Sequence, residues 1–258
     1  PELRCKYNAA FKNLHIAASG NYNLFTTTNA TYDPTLHVED CTVDAAYNVV
    51  YDSHNTQNFQ KIYFGNSIVK MTVANKPFYS TKAKDAHTQQ LIRLDNNVFY
   101  AETPLQNYLI NCGDRSQAFQ TTRLQVEVTN NTIYNIYQPN IMIRAYVLAG
   151  LTVTKNVGYY TGVTAKNYLT GVYDTAGFTA DKAEVTYNYL YTAPVSDTNF
   201  WSAKHTGSYT PANNQMGDGV EAPFSSMDAA KGYFPVDASV VKTGAGATYD
   251  TKAWFKTE

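Results

Sequence analysis

Between residues 121 and 150 the side chains alternate in a way that restricts the backbone to one kind of structure. Leu124, Val126 and Val128 alternate with Arg123, Gln125 and Glu127. After a polar stretch holding Asn130, Asn131 and Pro139, a second run sets Ile141, Ile143, Ala145 and Val147 against Met142, Arg144, Tyr146 and Leu148. Period-two alternation puts one row of side chains on a core and the other outside, so both runs read as half-buried β-strands. The connection is too short for a crossover helix, and the pair is therefore expected to be antiparallel. Leu124, Val126, Val128, Ile141, Ile143 and Val147 are the expected inward row.

Similar runs recur at 12–18, 21–27, 46–51, 62–74, 98–100, 185–191 and 238–242, punctuated by Gly, Pro, Asn and Asp. Short strands with turn signals between them predict an all-β antiparallel sandwich. Helices are expected only at 82–91, at 104–111 behind a Thr103 cap, and more weakly at 226–231. No repeat recurs at a fixed period, which argues against a solenoid or propeller. Residues 1–258 read as one domain, with long loop excursions around 152–181 and 207–246.

Charged residues make up 16% of the chain, and 22 tyrosines stand among abundant Thr and Asn. Two readings stand: a surface that packs against copies of itself, or an extracellular β-protein with a Tyr-rich exterior. The net charge of −1 excludes a polyanion-binding domain over the whole chain. Cys5, Cys41 and Cys112 are too few and too far apart for a disulfide framework or a zinc pattern, and three buried free thiols are expected.

Signatures of catalysis are missing: there is no glycine-rich phosphate loop, no nucleophile elbow and no paired zinc histidines. No enzyme activity and no cofactor are expected. His37, Glu39 and Cys41 would share one face of an extended strand, a conceivable metal site, although a solvated edge strand is the simpler reading. Asp218 and Glu221 could contribute to a calcium loop but lack spaced oxygen partners. Trp201 and Trp254 with Tyr159, Tyr160 and Tyr173 could stack sugars, or could equally be core or subunit contacts. Arg4, Lys6 and Lys12 make the opening dozen residues basic. They read either as a solvated terminus or as the stub of a nucleic-acid-binding arm.

The order of several segments resembles the capsid proteins of small icosahedral viruses with single-stranded genomes, in particular the circovirus-like DNA viruses. Pro1-Glu2-Leu3-Arg4 resembles the stretch that follows the basic arm in that family. The runs Val126 to Thr132 and Ile141 to Val147, and then Asn199 to His205, match its cadence. The arginine-rich arm itself is absent, and the loops are longer than in that family. The resemblance implies a single eight-stranded jelly roll, many-copy self-assembly into a virion shell, and a genome met by Arg4, Lys6 and Lys12 through a preceding basic arm. A host receptor is left open, and no membrane partner is expected. The alternative is a secreted β-sandwich binding module, such as an adhesin, a pilus subunit or a carbohydrate-binding domain, with an extracellular location.

Overall fold

The computed structural model describes residues 2–18, 20–27, 34–45, 47–52, 59–81, 90–111, 124–138, 141–145, 149–160, 168–172, 182–191, 199–201, 209, 211–217 and 221–249. In these the chain winds through coils of three strands each. The first coil is β1 (Leu3–Cys5), β2 (Ala9–Lys12) and β3 (His15–Ala18), and the second β4 (Phe25–Thr27), β5 (Thr35–Glu39) and β6 (Thr42–Ala45). The third is β7 (Val50–Asp52), β8 (Lys61–Gly65) and β9 (Ile68–Met71), and the fourth β10 (Tyr79–Thr81), β11 (Leu91–Asp95) and β12 (Val98–Gln106). Next come β13 (Ile110–Asn111), β14 (Gln125–Thr129) and β15 (Thr132–Tyr137), then β16 (Ile141–Ala145), β17 (Gly150–Thr154) and β18 (Val157–Tyr159). The seventh coil is β19 (Tyr168–Val172), β20 (Ala183–Thr186) and β21 (Tyr189–Leu190). The eighth has β22 (Asn199–Trp201) and β23 (Gln215–Met216), with a single bridge from Thr186 to Ala212 between them.

Each strand pairs with its counterpart one coil away, and every pairing in the three sheets is parallel. Sheet A runs from β1 to β22, sheet B from β2 to β20, and sheet C from β3 to β23. The molecule is a three-sided parallel β-solenoid, not the antiparallel sandwich or jelly roll expected from the sequence. The two runs of residues 121–150 explain the difference. Asn130 takes a left-handed φ of 55° directly after β14, and the residues read as a polar loop form a strand of their own, β15. β14 lies in sheet B and β16 in sheet A, so the two runs never pair. Alternation reports which side of a strand is buried, and it is silent about the direction of the neighbour.

Leu124, Val126, Val128 and Ile143 are buried as expected, while the side chains of Ile141 and Val147 lie outside the described residues. Met142 is buried beside Ile143, because the start of β16 is covered on both sides. Like residues stack in register up the interior: Leu36, Ile62, Ile92, Val126 and Leu151 form one column of sheet B. Phe25, Val50, Tyr79, Ile110 and Ile143 form the matching column of sheet A. All ten are buried, so each coil closes a layer of core that its neighbours extend.

Other expectations also change. The proposed helix at 104–111 is the end of β12 and β13, and 226–231 is a series of turns, as is 238–242. Most of the proposed helix at 82–91 lies outside the described residues. The run at 62–74 is two strands, β8 and β9, bent apart at Asn66. The excursion around 152–181 contains β18 and β19. In the one around 207–246, residues 221–249 form a strap of turns over the outer face of sheet C.

The bend from sheet B to sheet C contains two residues in each of the first seven coils, the first with positive φ (Asn66, Asn96, Asn130, Lys155 and Tyr187 among them). The second is buried from the second coil to the seventh, whereas Leu14 in the first coil is exposed. From the fourth coil on, that second residue is asparagine: Asn97, Asn131, Asn156, Asn188 and Asn214. Asn131 Oδ1 accepts from the Asn97 backbone N–H at 2.9 Å, and its Nδ2 donates to Leu94 O and to Asn156 Oδ1, both at 2.9 Å. Asn156 and Asn188 repeat the pattern one coil further on. The ladder satisfies backbone groups that the bend removes from the sheets, which a buried corner otherwise leaves orphaned.

The strap adds a second apolar cluster. Tyr100, Tyr134 and Tyr159 stand on the outer face of sheet C, where Phe234 stacks on Tyr134 with ring centroids 4.0 Å apart. Tyr249 seals the strap: its hydroxyl accepts from Phe234 N–H at 2.9 Å and donates to Gly232 O at 3.1 Å. Burial holds that phenol far above its ordinary pKa. At Gly232, with φ 64°, an added Cβ would lie 2.7 Å from both Ile68 and Tyr100, so only glycine lets the strap approach this closely.

Candidate functional site

Sheet A carries the described surface with the most chemical variety. One register row of the sheet runs Arg4, Thr26, Tyr51, Ser80, Asn111 and Arg144, and all but the buried Thr26 reach the surface at least in part. Beside this row, at the corner where sheet C turns into sheet A, lies a cleft of about 340 Å³ that reaches from Asn23 of the second coil to the fifth coil. The third coil supplies Tyr47, Asn48 and Tyr51, the fourth Asn75, Lys76 and Ser80, and the fifth Tyr108 and Asn111. The cleft is at the small end of the range typical of ligand sites.

Local structure fixes these side chains. Asn75 adopts a φ of 58°, and Asn107 Nδ2 clamps the turn by donating to Val73 O at 3.1 Å and Lys76 O at 2.6 Å. The turn delivers Lys76, whose Nζ donates to Tyr47 Oη at 2.5 Å and sits 3.9 Å from that ring's centroid. Arg144 lies over Tyr108 with its guanidinium carbon 4.7 Å from the ring centroid, and donates twice to Asn111 Oδ1, at 2.9 and 2.6 Å. Both cation–aromatic pairs hold rings and charges in place at the cleft.

Among the described residues three buried side-chain oxygens have no hydrogen-bond partner, Asn48 Oδ1, Asn135 Oδ1 and Thr243 Oγ1, and Asn48 is the one that lines the cleft. It is only 6% exposed, and its Nδ2 donates to Asn23 Oδ1 at 2.6 Å. A buried, unpaired acceptor lining a cleft is costly unless something entering the cleft donates to it. No carboxylate is among the described residues that line the cleft.

The residues singled out from the sequence fall elsewhere. His37 is exposed on β5 with its Nε2 3.9 Å from Glu39, but Asp40 at φ 52° turns the chain, and Cys41 points into the core. Its thiol donates to Glu39 O at 3.2 Å, and no cluster of metal-capable side chains forms among the described residues. Glu221 is exposed, and Asp218 lies outside the described residues. Tyr159 is buried under the strap and Tyr160 is also buried, so neither offers a sugar-stacking face. Tyr173, Trp254 and the side chain of Trp201 lie outside the described residues, as does Cys112. Cys5 and Cys41 are buried free thiols, and burial pushes the Cys5 thiol up to about 11.

Arg4, Lys6 and Lys12 all belong to the first coil. Arg4 pairs with Glu2 at 3.2 Å on sheet A, whereas Lys12 pairs with Glu39 at 3.0 Å and Asp40 at 3.5 Å on sheet B. Lys6 lies 5.7 Å from the centroid of the exposed Tyr7 ring. The three cations are spread over two faces and do not form one patch.

The cleft residues escaped the sequence reading because they are neighbours only once the coils are in register. Tyr47 and Tyr51 flag one coil, and nothing in their local sequence points to Lys76 or Tyr108. Compared with known proteins, the chain matches no family model, no curated protein and no solved structure.

Proposed function

We propose that this chain is a saccharide-binding module of the solenoid type, and that it binds through the cleft on sheet A without catalysing a reaction. The observation that carries the reading is the buried Asn48 Oδ1, unpaired at the base of a cleft lined by Tyr47, Tyr51 and Tyr108. Aromatic rings with adjacent amides suit a ligand that has apolar faces and hydroxyl edges. The cleft runs along the solenoid axis from the second coil to the fifth, so it can follow a chain-like ligand rather than only a compact one. The shell reading drew on a sandwich that the chain does not form. The alternative expectation, an extracellular binding module, carries over to the new fold with its carbohydrate-binding option.

The test is titration calorimetry with a panel of oligosaccharides against the protein and a Tyr51→Ala/Tyr108→Ala variant. Binding that weakens about tenfold or more in the variant, at unchanged fold, supports the reading. An absence of binding across the panel removes it.

A further inference from the structure

We propose that the cleft is selective for acidic saccharides, those bearing carboxylate or sulfate groups, over neutral ones; the inference rests on the saccharide-binding reading above. Two features of the cleft are complementary to such a ligand. Lys76 enters it from the fourth coil, and all its recorded interactions are with the Tyr47 hydroxyl and ring. Neither partner neutralises it, so the ammonium is a cation held in place with no carboxylate partner among the described residues. Arg144 stands one coil beyond the cleft's far end, oriented by Tyr108 and Asn111, both of which line the cleft.

The positive charge is placed with some care. Several cations elsewhere on the surface are matched by acids: Lys70 by Glu102, Arg93 by Glu127, Lys12 by Glu39 and Asp40. In the cleft the described companions of Lys76 are the Tyr47 hydroxyl and ring. An anion at Lys76 gains attraction without displacing a resident carboxylate, and the neutral amides do not repel it. Asn48 Oδ1, which also lines the cleft, can accept from a donor on the ligand. A ligand that satisfies both must carry hydroxyl groups and negative charge on one scaffold. Phosphate alone supplies the charge without the extended hydroxylated face, and a neutral sugar supplies the hydroxyls without the charge.

The experiment measures Kd by calorimetry for three probes at matched length: an oligogalacturonate, a sulfated galactan oligomer and a neutral cello-oligosaccharide, each at low and high salt. Lys76→Met and Lys76→Arg are measured beside the unaltered protein, with circular dichroism melts to confirm folding. The expected result is binding of one or both acidic probes, weakened by salt and about fivefold by Lys76→Met, and restored by Lys76→Arg. The arm that binds more tightly assigns carboxylate or sulfate. Equal binding of the neutral probe, or acidic binding indifferent to Lys76→Met, overturns acid selectivity while leaving saccharide binding intact. No binding of any probe overturns both.

Discussion

The two corners that flank sheet C obey opposite rules. From sheet B into sheet C the chain turns in two residues in seven successive coils, the first always with positive φ and the second buried from the second coil on. From sheet C into sheet A the connection ranges from three residues between β12 and β13 to eight between β18 and β19. The first corner spends its asparagines on its own backbone. The second leaves Asn48 with an unpaired oxygen and carries Lys76 and Tyr108 at a cleft. Within one repeating architecture, the part that repeats supports the fold, and the part that departs from the repeat offers a site.

The comparison can be broken at several points, and the sharpest lies beneath both corners. Val126 sits in the stacked interior column, so Val126→Asp places an unpaired carboxylate in the core at a cost of several kcal/mol, comparable to the whole stability of a domain. Loss of the β-sheet signal by circular dichroism is expected, and a folded Val126→Asp protein would mean that the column is not the core. Next in size is Asn131→Ala. It strips partners from the Asn97 N–H and from Leu94 O, and should lower stability by about 3 kcal/mol in urea titrations. Asn48→Ala removes only one bond and an already orphaned acceptor, so its cost should stay near 1 kcal/mol or below. If the two substitutions cost the same, the contrast between corners collapses.

A separate, pH-dependent effect concerns the first coil. Cys5 has its pKa raised in the folded state, so the fold favours the neutral thiol. That contribution is complete below the unfolded thiol's pKa near 8.5 and is lost as pH rises toward about 11. Urea midpoints should therefore fall between pH 8.5 and 11 by an amount on the order of 2 kcal/mol. Cys5→Ala should flatten part of the decline, the remainder coming from tyrosines that titrate in the same range.

Strand content was legible in the sequence, and so was the inward row of Leu124, Val126, Val128 and Ile143. Burial leaves a period-two mark wherever one face of a strand is covered. Parallel winding was hidden, because the positive-φ residues recur at intervals from 25 to 34 residues, never at one spacing. The signal becomes visible when segments are aligned on the bend. Residues 94–100 read LDNNVFY, 128–134 VTNNTIY, 153–159 VTKNVGY and 185–191 VTYNYLY. Each has the left-handed residue third, the ladder asparagine fourth and a tyrosine last. Asn130 and Asn131 read as part of a polar turn, which they would be in a hairpin. The cleft had no such mark, since Tyr51, Lys76 and Tyr108 follow no shared pattern and meet only through the register of sheet A.

The strap has a thermodynamic consequence for how the molecule comes apart. A solenoid ordinarily unfolds as a one-dimensional chain, each coil sensing only the one above and the one below, so that ends fray while the middle persists. Here residues 221–249 lie across that chain lengthwise. Gly232 packs against Ile68 of the third coil, Thr248 N–H donates to Asn96 Oδ1, Ala247 N–H to Thr132 Oγ1 and Gly246 N–H to Lys155 O. Gln215 of the eighth coil donates to Val240 O. One segment thus couples coils that never touch each other, and it converts a sum of neighbour terms into a single cooperative block from the third coil to the eighth. The first two coils stand outside that block and are held by nearest-neighbour pairing alone, so they form the softer end of the molecule.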